Sequence, residues 1–314
     1  MLVSREPAGA APQAVAVDLG GHSVRISSAD GSGRLRGRVV RERVSRESTQ
    51  EEIVGAIGAG ARAVVSGAPS VLVAAIPSFM FPDGTMAECP SLPALTGSRF
   101  GDLLAGATGA ERVEVVPDLA AATLAEQQLG TGRQSARFIC VTLGTGANAG
   151  AVVDGRPVET AFGCLGDAGH VLVDPDGPEC SCGGRGCLES ITSGWALARD
   201  GATMGWASAA EVTSAAERGD VSAIALLSRA GVMLGRACAT WSAMLWPDTI
   251  AVAGGVAGAG ELLLGPARRE MRRVGAPYIV SEIELRAATL GSEATLSGAA
   301  LLSVQGSPRP TPHA

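Results

Sequence analysis

The chain has 314 residues, too many for one compact core and enough for two ordinary domains. With 46% apolar and 18% charged residues it is a globular chain rather than a disordered one, and its net charge of −6 argues against nucleic acid as the main partner. All 25 basic side chains are arginines, which excludes a P-loop lysine, the ATP-pairing lysine of protein kinases and Schiff-base chemistry. Any phosphate must therefore be held by backbone N–H groups, arginine or a metal.

The sequence also restricts the cellular setting. No stretch reaches about 18 uninterrupted apolar residues, and residues 1–13 lack the apolar core of a signal peptide. Seven cysteines, three of them clustered, suit a reducing compartment better than a disulfide framework. We therefore expect a cytoplasmic protein without a membrane span, with flexible tails at 1–13 and 305–314.

The first half of the chain begins with a strand, a glycine turn and a second strand over 14–26. A helix is predicted over 50–66 and a buried strand over 71–76, followed by a proline-rich loop. A strand over 112–116 then leads into a helix over 119–129.

The second half repeats the opening pattern, because 138–153 again predicts a strand, a glycine turn and a strand. Two such hairpins, each opening about half of the chain, indicate a duplicated architecture. A Cys/Gly-rich segment over 163–189 follows, then helical sequence over 193–246, a strand over 249–253 and a last helix over 294–304. Strands alternating with helices favour an α/β fold.

Three glycine turns at strand ends are candidate phosphate and nucleotide sites. They comprise Asp18, Gly20 and Gly21 in the first turn, Gly144, Thr145 and Gly146 in the second, and Gly254 and Gly255 in the third. Glycine lets backbone N–H groups approach a phosphate, the Asp18 carboxylate can hold Mg²⁺ through water, and adenine or ribose can lie against the third turn. Ordinary tight turns are the alternative at each place.

Asp118 lies between a proline and an alanine-rich helix, where an N-cap is the simpler interpretation. The alternative is a base that takes the proton of an attacking hydroxyl. The helix N-terminus is expected to keep this carboxylate ionised and so to limit its strength as a base. Phosphoryl transfer tolerates a weak base, because its loose transition state needs positioning more than deep deprotonation.

The most specific signal is a metal-ligand spacing, H-x9-C-x-C-x4-C, formed by His170, Cys180, Cys182 and Cys187. Three thiolates and an imidazole suit a closed, tetrahedral, structural zinc site, and buried free cysteines are the alternative. A loop held in this way would also position Asp167 and Glu189, whose carboxylates can accept hydrogen bonds from a polyol. Exposed surface acids are the alternative for these two residues.

Together these motifs resemble the ROK family (repressors, open reading frames and kinases) over nearly the whole chain. The family's Asp-x-Gly-Gly-Thr motif appears at 18–22, with His22 in the place of the threonine. Its Gly-Glu-x-Gly-His segment appears at 166–170, and its Cys-x-Cys-Gly-x-x-Gly-Cys-x-Glu signature is complete at 180–189.

The resemblance implies an actin-like ATPase fold, which is ribonuclease H-like and duplicated, with two lobes and with ATP and substrate in a central cleft. We expect a small N-terminal lobe over 14–120, onto which the helix over 294–304 packs back, and a large lobe over 121–293 that carries the zinc loop, 163–189. The resemblance also implies Asp118 as the catalytic base, since it falls at the aspartate of the family's Asn-Asp-x-Asn motif.

The departures from the family pattern fall mostly on the sugar side. The Asn-Asp-x-Asn motif reads Pro-Asp-Leu-Ala at 117–120, the sugar-binding glutamate is Asp167, a Pro-Gly turn has become Pro-Ser at Ser78, and Pro-Asn-Leu has become Pro-Ser-Leu at Ser91. Each lost hydrogen-bonding group in a buried polar pocket would cost a glucose ligand about 1 kcal/mol or more. We therefore expect a modified hexose or a carbocyclic C7-cyclitol rather than plain glucose.

The predicted function is phosphorylation of a hydroxyl of a sugar or sugar-like polyol, with ATP and Mg²⁺ as cofactors and a structural Zn²⁺. Asp118 would activate the hydroxyl, and His22 would join the three glycine turns around ATP. The substrate would be held by Asp167, His170, Glu189, Ser78 and Ser91.

Three other functions are alternatives to this one. One is a glucokinase or fructokinase of ordinary hexoses, and another is a non-catalytic sugar-binding or regulatory member of the family. The third, a repressor, needs a winged helix-turn-helix before the first hairpin, for which the seventeen residues ahead of Asp18 are too few. We also expect a homodimer, and no nucleic-acid or membrane partner.

Overall fold

The computed structural model describes residues 14–81, 83–160 and 163–305. The tails predicted at 1–13 and 305–314 lie outside the described residues, except for Gln305, which ends the last helix. The strands are β1 (Ala14–Leu19), β2 (Ser23–Ala29), β3 (Leu35–Arg43), β4 (Val71–Ile76), β5 (Phe79–Met80), β6 (Met86–Glu88), β7 (Arg112–Pro117), β8 (Arg137–Leu143), β9 (Ala147–Val153), β10 (Arg156–Pro157), β11 (Glu159–Thr160), β12 (Gly163–Cys164), β13 (Thr249–Ala253) and β14 (Glu284–Ala287). The α-helices are α1 (Gln50–Val64), α2 (Phe100–Thr108), α3 (Asp118–Gln128), α4 (Glu189–Thr192), α5 (Gly194–Gly201), α6 (Ala209–Glu217), α7 (Val221–Leu245), α8 (Glu261–Val274), α9 (Pro277–Val280) and α10 (Ala294–Gln305).

The described chain divides into two units, one of residues 14–121 and 295–305 and the other of residues 122–294. Each unit contains a five-stranded sheet, with the strand order β3-β2-β1-β4-β7 in the first and β10-β9-β8-β13-β14 in the second. In both sheets an antiparallel hairpin continues into two parallel strands. This repeated plan confirms the duplicated α/β architecture.

Helix α1 covers one face of the first sheet. It begins at a capping box, in which the Thr49 hydroxyl accepts the Glu52 N–H at 3.2 Å and the Glu52 carboxylate accepts the Thr49 N–H at 2.8 Å. Ile53, Ile57 and Ala61 recur every four residues, so they lie on one side of the helix and are buried. They join the buried strand residues in the core of this unit.

Helix α10 belongs to the first unit although it comes last in the chain. A Cβ on Gly298 would collide with the backbone of Ala121, and a Cβ on Gly33 would lie within 2.9 Å of the Leu301 Cα. The Arg112 guanidinium donates to the Ser303 carbonyl at 2.9 Å. The helix therefore rests closely on strand ends and loops of this unit.

Helix α7 forms the centre of the second unit, with α8 packed against it. A Cβ on Gly231 would collide with the Leu263 carbonyl, so glycine is what lets the two helices approach. Within the described chain, α7 is the one helix whose length and composition would allow it to cross a membrane. Half of its most apolar window is buried inside the protein, as expected for a core helix, so the feature is weak evidence for a span.

Candidate active site

The first glycine turn joins β1 to β2 and keeps backbone donors at a strand end. The Gly20 N–H is not among them, because it closes the turn by donating to the Ser23 carbonyl at 2.9 Å. In the part of the chain that the structure describes, the N–H groups of Gly21 and His22 have no protein acceptor. A Cβ on Gly21 would lie 3.0 Å from the Ser91 Cβ, so the predicted residue Ser91 packs directly against this turn.

Asp18, at the end of β1, forms an ion pair that is not among the features predicted from the sequence. The register of the hairpin places Arg25 directly opposite, and its Nε donates to the Asp18 Oδ2 at 2.8 Å, with Nη2 donating to the same oxygen. Burial raises the pKa of Asp18, while the positive charges of Arg25 and then Arg41 oppose that rise. The signal was available, because two residues on a tight hairpin with matched distances from the turn must face each other.

Asp118 lies at the same sheet edge as Asp18. Strands β1, β4 and β7 are parallel, and the register aligns Asp18 with Ala75 and Ala75 with Val116. Asp118 comes two residues after Val116. Strand β7 is two strands away from β1, and at the usual strand spacing these two strands are about 10 Å apart. The negative charge of Asp18 reaches Asp118 and contributes to the rise of its pKa.

The surroundings of Asp118 correct two expectations. Helix α3 begins at Asp118 itself, and the carboxylate accepts the N–H of the next residue, Leu119, at 2.7 Å, whereas an N-cap side chain usually reaches two or three residues ahead. Burial raises the pKa of Asp118 to about 6, although the Leu119 N–H opposes the rise. The helix N-terminus therefore does not hold the carboxyl at a low pKa, because loss of hydration outweighs it.

Two loop residues complete this side of the first unit. Ser78, which follows β4, donates through its hydroxyl to the Met86 sulfur at 3.7 Å. The Cys89 thiol donates to the Pro77 carbonyl at 3.8 Å, and burial raises its pKa, with the charge of Asp118 adding to the rise. Cys89 is thus a buried core residue that lies within electrostatic range of Asp118.

In the second unit the four predicted metal ligands come together, with all their ligand atoms within 4.8 Å of one another. His170 Nδ1 lies 3.4 Å from the Cys180 sulfur, and the sulfurs of Cys182 and Cys187 are 3.7 Å apart. A tetrahedron with Zn–S bonds of about 2.3 Å has edges of about 3.8 Å. The donor set and its spacing therefore fit a zinc ion.

The backbone and the neighbouring carboxylate also suit a metal site. Gly186 has φ +69°, and a Cβ on it would collide with the Asp174 carbonyl, so only glycine allows this tight loop. The other ring nitrogen of His170, Nε2, lies 3.5 Å from the Asp167 carboxylate. A carboxylate in this position orients a metal-ligating imidazole.

Glu189 connects this loop to the second glycine turn. One oxygen of its carboxylate accepts the Ala147 N–H at 3.0 Å, and the other accepts the Ser181 hydroxyl at 3.1 Å. A Cβ on Gly146 would lie 2.6 Å from the same carboxylate. The Gly144 N–H closes the turn onto the Gly146 carbonyl at 2.9 Å, so this donor is already used, as at Gly20.

The third glycine turn lies beside the second. Gly254 has φ +93°, and a Cβ on it would collide with the backbone of Leu143 at the tip of β8. Gly255 begins a short 3₁₀ turn and has open space around its Cα. The geometry of Gly254 is thus explained by strand packing, and Gly255 is the member of the pair with room for a ligand.

Each unit therefore groups a part of the predicted set. The first unit groups Asp18, Gly20, Gly21, His22, Ser78, Ser91 and Asp118 in loops and strand ends at one edge of its sheet. The second groups Gly144, Thr145, Gly146, Asp167, His170, Cys180, Cys182, Cys187, Glu189, Gly254 and Gly255.

Comparison with known proteins agrees with these motifs. A family model described as "ROK family" matches residues 14–305. The chain is 30% identical over 304 residues to a glucokinase of Thermotoga maritima, an alignment covering 91% of this chain and 95% of that protein. It is 34% identical over 168 residues to an N-acetylmannosamine kinase of Citrobacter koseri, covering 53% of this chain and 56% of that one. The crystal structure of a ROK family glucokinase from Streptomyces griseus in complex with glucose and AMPPNP matches with a TM-score of 0.74 and 28% identity, over 94% of this chain and 100% of that chain.

Proposed function

The chain belongs to the ROK family and has its actin-like ATPase fold, and from this premise we propose that it is an ATP-dependent kinase of a sugar or sugar-like polyol. The observation that carries the proposal is the position of Asp118 at the sheet edge that also bears the first glycine turn, where loss of hydration raises the pKa of its half-buried carboxyl to about 6. The glucokinase and N-acetylmannosamine kinase relatives support the reaction class. We propose a cytoplasmic enzyme that works as a homodimer.

In the proposed mechanism Asp118 accepts the proton of the substrate hydroxyl as that oxygen attacks the terminal phosphorus of ATP. The bond between this phosphorus and the β–γ bridging oxygen breaks, so that ADP leaves and the phosphorylated polyol is formed. In the first unit, the N–H groups of Gly21 and His22 would bind phosphate oxygens. For the second unit, we propose that the second glycine turn binds phosphate and that Gly255 gives the nucleoside room. Asp18 would hold Mg²⁺, which supplies charge neutralisation at the phosphates when bound. A pKa of about 6 leaves Asp118 ionised at neutral pH and still basic enough to assist proton removal.

We propose that Asp167, His170, Glu189, Ser78 and Ser91 hold the acceptor. The departures from the family pattern at Asp167, Ser78 and Ser91 support a modified hexose or a C7-cyclitol, and an ordinary hexose is the alternative. The Asp167 carboxylate already lies against His170, so the shortened side chain stays close to the metal loop rather than reaching as far as glutamate would.

An ADP-release screen over glucose, fructose, N-acetylmannosamine, other amino sugars and cyclitols tests the proposal. Asp118→Asn should lower kcat by about 10²- to 10⁴-fold, the usual contribution of a general base. Asp102→Asn is the matched control, because that carboxylate is exposed on α2. If no polyol gives turnover that Asp118→Asn removes, the kinase proposal fails, and if glucose is the best acceptor, the cyclitol preference fails.

We further propose that His170, Cys180, Cys182 and Cys187 hold a structural zinc ion. We expect about one zinc per chain by atomic absorption, because a closed four-ligand site binds a single ion. Cys182→Ser should lose the metal and lower the melting temperature, whereas Cys238→Ala, which alters a cysteine buried in α7, should keep it. A fully folded preparation of the unaltered chain without zinc would contradict the assignment.

A further inference from the structure

An aligned row of charged side chains crosses the first sheet beside its glycine turn. The β1–β2 register places Asp18 opposite Arg25, and the β2–β3 register places Arg25 opposite Arg41. Residues directly opposite on antiparallel strands share a face, and so does Arg43, two residues beyond Arg41 and opposite Ser23. Three guanidinium groups and one carboxylate therefore project from the same face of the sheet. The end of β3 lies beside the start of β2, next to the first glycine turn.

A backbone hydrogen bond joins the end of β3 to the first glycine turn. The Val44 N–H, just after β3, donates to the His22 carbonyl at 3.4 Å. The end of β3 that carries Arg41 and Arg43 is therefore held beside the turn that contains Gly21 and His22. The charge of Arg41 is felt at Asp18, where it lowers the pKa of that carboxyl.

The row carries more positive charge than its neighbours balance. Arg25 is paired with Asp18, but Arg41 and Arg43 are exposed and form no ion pair with any residue in the described ranges. Like charges directly opposite each other on a sheet are unfavourable, so Arg41 facing Arg25 costs stability. In a protein with a net charge of −6, such an unbalanced cationic row indicates an anionic ligand.

Protection of a sheet edge is the simpler explanation for arginine on β3, which is the outer strand. It accounts for Arg36, which is paired with Asp30, and for Arg38 at the middle of the strand. It does not account for the alignment of Arg41 with Arg25 and Asp18. That alignment concentrates positive charge at the strand end nearest to the glycine turn.

We propose that Arg25, Arg41 and Arg43 form a binding site for the condensed phosphate chain of the phosphoryl donor. The inference rests on the proposed function, because it extends the phosphate site of a kinase whose chain contains no lysine. Guanidinium groups bind phosphate oxygens in pairs, and Asp18 holds one edge of the Arg25 guanidinium, which leaves the other edge directed away from it. The shared chemistry is a row of phosphates, whether attached to a nucleoside or present as inorganic polyphosphate.

The test measures binding of inorganic tripolyphosphate and of ATP by isothermal titration calorimetry, at constant free Mg²⁺. It compares the unaltered chain with Arg41→Ala/Arg43→Ala and, as matched control, Arg38→Ala, an exposed arginine on the same strand. We expect the double variant to bind both ligands about tenfold or more weakly, since a charged hydrogen bond to phosphate is worth roughly that factor. The control should bind both as the unaltered chain does.

The outcomes separate this inference from the proposed function, because binding does not require turnover. Equal binding of tripolyphosphate by the double variant and the unaltered chain, or no binding by either, overturns the arginine site even if the kinase is active. Loss confined to the double variant supports the site even if no acceptor is found. Where turnover is present, the KM for the phosphoryl donor should be higher in the double variant than in the unaltered chain. Assays with ATP and with inorganic polyphosphate in its place identify which of the two is the donor.

Discussion

Asp118 shows how a single carboxyl is made into a stronger base by its surroundings. Its side chain accepts a backbone hydrogen bond from Leu119, which by itself would lower the pKa of the carboxyl. Burial and the charge of Asp18 act in the opposite direction and together raise the pKa to about 6. The site thus exchanges folding stability for basicity at the position where a proton must be accepted.

The pH dependence of turnover should report this carboxyl. We expect kcat/KM to rise as the pH increases through about 6, because only the ionised form of Asp118 can accept the proton. The measurement is the rate at subsaturating acceptor between about pH 5 and about pH 8, with free Mg²⁺ held constant. A rate that stays level down to about pH 5 would show that the essential base has an ordinary carboxyl pKa.

The same carboxyl should destabilise the fold at neutral pH. A pKa raised from 3.8 to about 6 means that the folded chain binds the proton more tightly than the unfolded chain. The stabilising contribution of the protonated form is therefore complete below 3.8 and is lost as the pH rises through about 6. Asp118→Asn is uncharged at every pH and its side-chain oxygen can still accept the Leu119 N–H.

We therefore expect Asp118→Asn to be more stable than the unaltered chain at pH 7, by about 1 to 3 kcal/mol, and to show little difference near pH 4. Urea unfolding at the two pH values measures the gain. Asp102→Asn, at an exposed carboxylate, should show no such gain. A loss of stability at pH 7 would mean that the Asp118 charge is well compensated in the folded protein.

At the scale of elements, alanine substitution at two helical glycines should change stability in opposite directions. Gly55 lies on the exposed side of α1 with open space where a Cβ would be, whereas a Cβ on Gly298 of α10 would collide with the Ala121 backbone. Gly55→Ala should raise the free energy of unfolding by up to about 1 kcal/mol, the helix propensity difference. Gly298→Ala should lower it by more than about 1 kcal/mol, because α10 must move. Thermal unfolding of the two variants side by side distinguishes these effects, and equal shifts would contradict the close seating of α10.

The elements that the sequence predicted well are those with a local signal. Hydrophobic strands with glycine turns predicted both hairpins, and the cysteine spacing predicted the cluster of His170, Cys180, Cys182 and Cys187. Strand β3 was missed because its arginines leave no apolar alternation, so it exists only by pairing with β2. Helix α2 was missed because it is nine residues long and contains Gly101 and Gly106, which weaken its helical propensity.

For the whole molecule, the sequence predicted the duplicated plan but not the electrostatics of its sites. The matching strand orders follow from two similar hairpins. The ion pair between Asp18 and Arg25 depended on register, and the raised pKa of Asp118 depended on burial by distant segments. Such properties arise from packing of residues far apart in the chain, so a pattern of neighbouring letters does not contain them.

The lack of lysine has a consequence that applies to the entire chain. Acylation with an amine-reactive ester should leave turnover unchanged, because an N-terminal amine is its only amine target. Phenylglyoxal, which modifies arginine, should abolish turnover, and ATP should slow the loss if guanidinium groups bind the donor. Inactivation by the acylating reagent would show that the N-terminal amine matters to the reaction.

The carboxylate of Glu189 connects the loop that carries the proposed zinc ligands to the second glycine turn. The carboxylate accepts one hydrogen bond from the Ser181 hydroxyl and another from the Ala147 N–H. A displacement of the loop would therefore also displace the turn at Gly146. If the proposed zinc ion were partly lost during purification, the loop and the turn at Gly146 should loosen together. Differences in turnover between preparations of the proposed kinase would then follow their zinc content.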